Sequence, residues 1–147
     1  MSNAPHRPPI EILLVEDNPG DVDLVVEILK ESTTPTHVSV AIDGEDAMAF
    51  LRRDGAPRPD LVLLDLNLPK KDGRTVLSEI KADAQLAHTP VIILSSSSAA
   101  RDLMQAYQLH ASCFVTKAVD LEEFFTVLRA VTSFWLNTVI LPPRLTS

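Results

Sequence analysis

Four short apolar runs in this chain each stop at a residue with a use in phosphoryl chemistry. Ile12-Leu13-Leu14-Val15 runs into Glu16-Asp17, and Leu61-Val62-Leu63-Leu64 runs into Asp65. Val91-Ile92-Ile93-Leu94 runs into Ser95, and Cys113-Phe114-Val115-Thr116 runs into Lys117. A carboxylate such as that of Asp65 can attack a phosphoryl donor and become an acyl phosphate. Three carboxylates gathered in one place repel, and one stays partly protonated unless a cation joins them. Mg²⁺ suits that position, because it takes oxygen ligands octahedrally and commonly combines one or two carboxylates with phosphate oxygens and water. Neighbouring strand residues point to opposite faces, so Glu16 and Asp17 can serve one ion only where the chain bends. Asp17 is then expected as the direct ligand, with Glu16 acting largely through water. Lys117 offers a compact positive charge to Asp65 and afterwards to the phosphoryl oxygens. Taken singly, each of these residues has a plainer reading as a solvated strand end or a helix cap.

The elements that must position them alternate along the chain. After the first run, Asn18-Pro19-Gly20 is a turn and helix start, and Val22, Val25, Val26 and Leu29 follow at helical spacing. His37 to Ala41 alternates as a second strand, and Asp43 or Gly44 opens a helix carrying Ala47, Phe50 and Leu51. Val76, Leu77 and Ile80 mark a third helix. Ala100, Leu103, Met104 and Tyr107 define a fourth. Asp120 caps a fifth that runs on through Phe134 and Trp135. Five strand–helix alternations predict an α/β fold, a doubly wound five-stranded parallel sheet with five helices and a long C-terminal helix. In such sheets ligands bind beyond the carboxyl ends of the strands, where Glu16, Asp17, Asp65, Ser95 and Lys117 all fall. Residues 1–9 read as a flexible arm, 10–141 as the domain and 142–147 as a tail.

Composition narrows the function classes. The 147 residues are 46% hydrophobic and 22% charged, as in a single globular domain. A net charge of −7 argues against nucleic acid as a partner. No apolar stretch is long enough for a membrane span and no signal core precedes the first strand, so a soluble, cytoplasmic protein is expected. The lone Cys113 excludes an intrachain disulfide and reads as a strand residue rather than a nucleophile. His6, His37, His88 and His110 make no metal-ligand spacing, and four glycines make no phosphate loop.

The ordered set, with Leu64-Asp65-Leu66-Asn67-Leu68-Pro69 at its centre, resembles the receiver domain of two-component response regulators, over roughly Ile12 to Leu136. The resemblance implies the flavodoxin-like receiver fold, with Asp65 as phosphoacceptor for a histidine kinase and Mg²⁺ as cofactor. It implies that the backbone carbonyl of Asn67 joins Glu16, Asp17 and Asp65 at the metal. It further implies that Ser95 bonds a phosphoryl oxygen and that Ser95 and Phe114 form the switch. Receivers usually follow this lysine with a proline in cis, whereas here Ala118 follows. A cis bond before a non-proline residue costs about 3–4 kcal/mol against about 0.5–1 before proline, so a trans Lys117–Ala118 bond is favoured.

With no attached output domain in this sequence, signalling is expected through the receiver's own surface. The last helix is apolar on more than one side, which calls for cover on more than one side. A homodimer face of Phe125, Phe134, Trp135 and Leu136 is predicted, the alternative being a tail folded back on its own domain. Ser133-Phe134-Trp135-Leu136 and Val139 to Pro142 resemble stand-alone receivers paired with phytochrome-type histidine kinases, as do Glu16 to Asp21 and Asn67 to Gly73. The reading is a phosphorylated switch in a phosphorelay, not a turnover enzyme. Two alternatives stay open. One is a pseudo-receiver that binds partners without phosphorylation. The other is an aspartyl-phosphate phosphatase, which wants a second Asp where Asn67 stands.

Overall fold

Apolar runs without polar alternation can be strands only where both faces of a sheet are covered. In a computed structural model of the chain, which describes residues 8–55, 57–97, 99–117 and 120–144, they are used in that way. The elements follow in the order β1 (Ile10–Val15), α1 (Pro19–Lys30), β2 (Thr36–Ala41), α2 (Gly44–Arg52), β3 (Leu61–Asp65), α3 (Gly73–Ala82), β4 (Val91–Ser95), α4 (Ala100–Gln108), β5 (Cys113–Thr116) and α5 (Leu121–Ser133). The strands lie side by side as β2-β1-β3-β4-β5, each pair parallel. The expected doubly wound fold is the one observed. Its order reverses between β1 and β3, which makes the gap beyond their carboxyl ends the natural crevice. The Lys117–Ala118 bond, expected to be trans, lies outside the described residues, as does most of the expected N-terminal arm.

Alternate strand residues feed two cores. Leu13, Val15, Val62, Leu64 and Ile93 pack with Met48, Leu51, Val76, Leu77 and Ile80 beneath α2 and α3. Ile12, Leu14, Leu63, Ile92 and Leu94 pack with Val25, Ile28, Leu29, Phe124 and Leu128 beneath α1 and α5. Asn18, Asp43, Asp72 and Asp120 each cap their own helix by accepting a first-turn N–H. α4 differs: Ala99 provides no side-chain cap, and Ala106 is its one buried residue. Leu103, Met104 and Tyr107, whose spacing marked this helix in the sequence, lie within it but are 40%, 61% and 49% exposed. With Ala106 seated on the sheet, the helical repeat turns Tyr107 roughly 100° and Met104 roughly 160° away from it.

The last helix also departs from its expected form. α5 passes into a π-helical turn, Phe134–Thr138, closed by a Val139 N–H bond to the Phe134 carbonyl at 2.9 Å. Leu136, expected on a dimer face, is instead buried in the layer of α1 and α5 and is unavailable to a partner. Trp135 is half-buried against the same layer, while Phe134 is 53% exposed. Beyond the turn the chain folds back. Arg144 donates to Asp60 at 2.7 Å and to the Pro9 carbonyl at 2.7 Å, crossing the amino ends of β3 and β1.

Two glycines hold the loop after β3 by close approach. A Cβ on Gly73 would stand 2.3 Å from the Asp65 carbonyl oxygen, and one on Gly44 would stand 2.0 Å from that of Lys71. Gly73→Ala is therefore expected to lower stability by about 1–3 kcal/mol as the backbone shifts to make room. Leu136→Ala is expected to cost about 2–5 kcal/mol as a core truncation. Urea unfolding of both variants checks this, and a loss below about 1 kcal/mol for Leu136→Ala would restore that residue to the surface.

Candidate functional site

The crevice between β1 and β3 is furnished from four strand ends. Glu16 still follows the strand path, its N–H bonded to the Ala41 carbonyl at 3.0 Å, and the chain then bends at Asp17 before Asn18 caps α1. That bend is what the two neighbouring acids require. One carboxylate oxygen from each of Glu16, Asp17 and Asp65 comes within 4.8 Å of the others. Glu16 and Asp65 are buried, whereas Asp17 is exposed. Asp65 is the last residue of β3, and its Oδ1 accepts the Asn67 N–H at 3.0 Å.

Lys117 follows β5, and its N–H is tied to the Ser95 carbonyl at 2.7 Å. Its ammonium donates to Glu16 Oε2 at 2.5 Å, Asp21 Oδ2 at 2.9 Å and Asp65 Oδ2 at 3.1 Å. Burial opposes the Lys117 charge, but the hydrogen bonds to Glu16 and Asp21, with the charges of Asp65 and Glu16, hold its pKa above the ordinary lysine value. Burial also pushes the Glu16 carboxyl up to about 7, against the Lys117 hydrogen bond that favours its ionised form. The negative charge of Asp65 adds to that rise.

Four carboxylates against one ammonium leave an excess of three negative charges when all are ionised. A hard divalent cation with oxygen ligands fits this donor set. Both Glu16 oxygens are already engaged, Oε1 by the Asn18 N–H at 3.1 Å and Oε2 by Lys117, while Asp17 faces solvent. Of the two acids, Asp17 is therefore the one whose oxygens are open to a cation approaching from solvent. The Asn67 carbonyl accepts no hydrogen bond among the described residues, which leaves it available to a cation.

Ser95 ends β4 fully buried, and its hydroxyl oxygen accepts the Ser97 N–H at 3.1 Å. That bond uses a lone pair and leaves the hydroxyl proton to be donated elsewhere. Ser97 makes the turn into α4, accepting the Ala99 N–H at 3.2 Å, so the serine run divides into a site residue and a turn former. Phe114 lies half-buried against the core beneath α2 and α3. Asp21 is the site residue that sequence reasoning missed. An acid in the first turn of a helix is already accounted for by the helix dipole, and that plain reading hid its bond to Lys117.

Comparison with known proteins agrees with this geometry. The response regulator receiver domain model matches residues 12–129. Response regulator Rcp1 of Synechocystis sp. (strain ATCC 27184 / PCC 6803 / Kazusa) is 48% identical over 140 residues, covering 92% of this chain and 95% of Rcp1. The Mn(2+)-bound form of response regulator Rcp1 superposes with a TM-score of 0.89 at 47% identity, covering 92% of this chain and 100% of that one. The phosphorylated cyanobacterial phytochrome response regulator RcpA gives 0.88 at 47% identity, with coverage of 92% and 100%. In sequence, fold and the arrangement of its strand ends, the chain belongs to the response regulator receiver domain family.

Proposed function

We propose that this chain is a phosphoacceptor switch in which Asp65 takes a phosphoryl group from the phosphohistidine of a histidine kinase. The observation that carries the reading is the Lys117 ammonium, bonded at once to Asp65, Glu16 and Asp21 beside the exposed Asp17. In the transfer, an Asp65 carboxylate oxygen forms a bond to phosphorus and the phosphorus–nitrogen bond of the donor breaks, leaving its electron pair on the imidazole. Mg²⁺ held by Asp17, Asp65, the Asn67 carbonyl and, through water, Glu16 would offset the excess negative charge and orient the phosphoryl oxygens. Lys117 neutralises the acceptor before transfer and pairs with a phosphoryl oxygen after it. Ser95 donates its hydroxyl proton to another phosphoryl oxygen, and Phe114 moves with the Ser95 loop. Return to the resting state is slow attack by water on phosphorus, so the protein is a signalling device rather than a turnover enzyme. The position two residues after Asp65 is Asn67, which lacks the acid a phosphatase of the aspartyl type would use there.

The kinase is of the phytochrome type in this reading, supported by the likeness to RcpA over nearly the whole chain. No helix of the described residues is long and apolar enough to cross a membrane, which suits a kinase met in the cytoplasm. The output is a homodimer through the end of the last helix. Phe134 and Ile140 are 53% and 95% exposed there, with Phe125 half-buried under the Arg129 guanidinium. Leu136 takes no part.

Incubation with acetyl phosphate and Mg²⁺, followed by intact mass, is expected to give one phosphoryl adduct on the wild type and none on Asp65→Asn or without the metal. An adduct on Asp65→Asn would move the acceptor elsewhere. Mg²⁺ at a hundredfold excess over its dissociation constant should stabilise the wild type by about 2.7 kcal/mol. Asp17→Asn should lose most of that gain in a thermal-shift titration. Sedimentation velocity should show a dimer for the wild type and a monomer for Phe134→Asp combined with Ile140→Asp.

A further inference from the structure

The orientation of the Ser95 hydroxyl depends on Ser97, whose N–H it accepts at 3.1 Å. Ser97 has its own anchor. Its hydroxyl donates to Asp102 Oδ2 at 2.6 Å, in the first turn of α4. The other Asp102 oxygen accepts from Arg74 Nη2 at 2.8 Å. Arg74 is itself held on two more sides: Nη1 donates to both oxygens of Asp72, the cap of α3, at 3.2 Å, and Nε donates to Gln105 of α4 at 3.0 Å. The side chains of Arg74 and Asp102 are 22% and 15% exposed. Hydrogen bonds between charged partners in such partly shielded positions are among the stronger ones a protein makes. The Ser97 hydroxyl first, and Arg74 second, hold the Asp102 carboxyl below its ordinary pKa, so it stays an acceptor at neutral pH.

This chain of bonds joins the loops that follow the paired strands β3 and β4, beyond the point where the sheet's own hydrogen bonds end. Arg74 follows Gly73, whose backbone lies directly against the Asp65 carbonyl. One end of the brace is therefore fixed beside the acceptor and the other beside the hydroxyl that must meet the phosphoryl group. It also does for α4 what a cap does for the other four helices, since Ala99 offers none. A lysine could not replace Arg74, because a single ammonium cannot reach Asp72, Gln105 and Asp102 with the fixed fork of a guanidinium.

We propose that Arg74 is a positioning residue for phosphoryl transfer, acting through Asp102 and Ser97 to aim the Ser95 hydroxyl at the phosphoryl group on Asp65. The inference rests on the reading of Asp65 as acceptor. The test is the rate of adduct formation from acetyl phosphate with saturating Mg²⁺, followed by intact mass on wild type, Arg74→Gln, Ser95→Ala and the double variant. Arg74→Gln is expected to slow the reaction about five- to ten-fold, less than the roughly hundredfold or greater cost of losing such a donor outright, because the hydroxyl is misaimed and not removed. Its Mg²⁺ affinity should be unchanged. On the Ser95→Ala background the same substitution should have no further effect, since both act through one hydroxyl. Asp102→Asn, which keeps the shape and weakens the link, should slow the reaction in the same direction and serves if Arg74→Gln does not fold. An unchanged rate, equal slowing on both backgrounds, or a lost Mg²⁺ affinity would each overturn the brace. A wild type that takes no phosphoryl group, or an Asp65→Asn variant that takes as much, would remove the acceptor reading and the inference with it. A wild type that reacts normally separates the two failures.

Discussion

The site is organised around one buried ammonium. Lys117 reaches from the end of the edge strand β5 to carboxylates on the end of β1, the first turn of α1 and the end of β3. A lysine whose side chain is only 13% exposed is costly to bury alone, and so are carboxylates as shielded as Glu16 and Asp65. Each makes the other tolerable. The consequence is positional as much as energetic, because the three elements cannot drift apart without leaving a buried charge unpaired. The bond from the Lys117 N–H to the Ser95 carbonyl ties a fourth element into the same arrangement.

That pairing is incomplete in charge and complete in geometry. The hydrogen bonds around Lys117 fix where Glu16 and Asp65 sit, while the surplus of acids keeps the site ready for further positive charge. Glycines on either side of the β3–α3 loop make the fixing rigid. Gly44 lets the start of α2 press on Lys71, and Gly73 lets the start of α3 press on Asp65 and Leu66. At Lys70 the loop turns through a φ of +65°, with the Lys71 N–H bonded back to the Pro69 carbonyl at 2.8 Å. A side chain in that left-handed region carries some strain. It is held there by the packing on both sides.

Much of this was legible in the residues themselves. The fold and the strand-end residues followed from apolar runs without alternation, which read as covered strands whatever their partners. The bend at Asp17 followed from the requirement that two neighbouring acids face one place. What stayed hidden depended on distance along the chain or on helix rotation. Asp21 looked like any first-turn acid until Lys117, ninety-six positions away, was seen to reach it. Leu136 looked like part of a dimer face because the last helix is apolar on more than one side, whereas it lies four residues beyond Thr132 on the buried side, after Phe124 and Leu128. In α4 the large apolar residues marked the helix, but the one that it buries is small, Ala106. The brace through Arg74 was invisible for the same reason as Asp21: its members come from two helices and a turn.

The bareness of α4 has a consequence for how the molecule can move. The native ensemble includes partly opened forms, and their populations follow how little buried surface and how few shielded bonds each opening gives up. An element anchored by one alanine and a polar brace can open or slide at far less cost than α1, α3 or α5, which carry leucines, isoleucines and phenylalanine into the two cores. Any ligand that binds one arrangement of α4 better than another therefore has little energy to overcome in redistributing the two. The stiff sheet keeps the chemistry in register, and the loosely seated helix beside it is the part of the fold whose equilibrium is easiest to tilt.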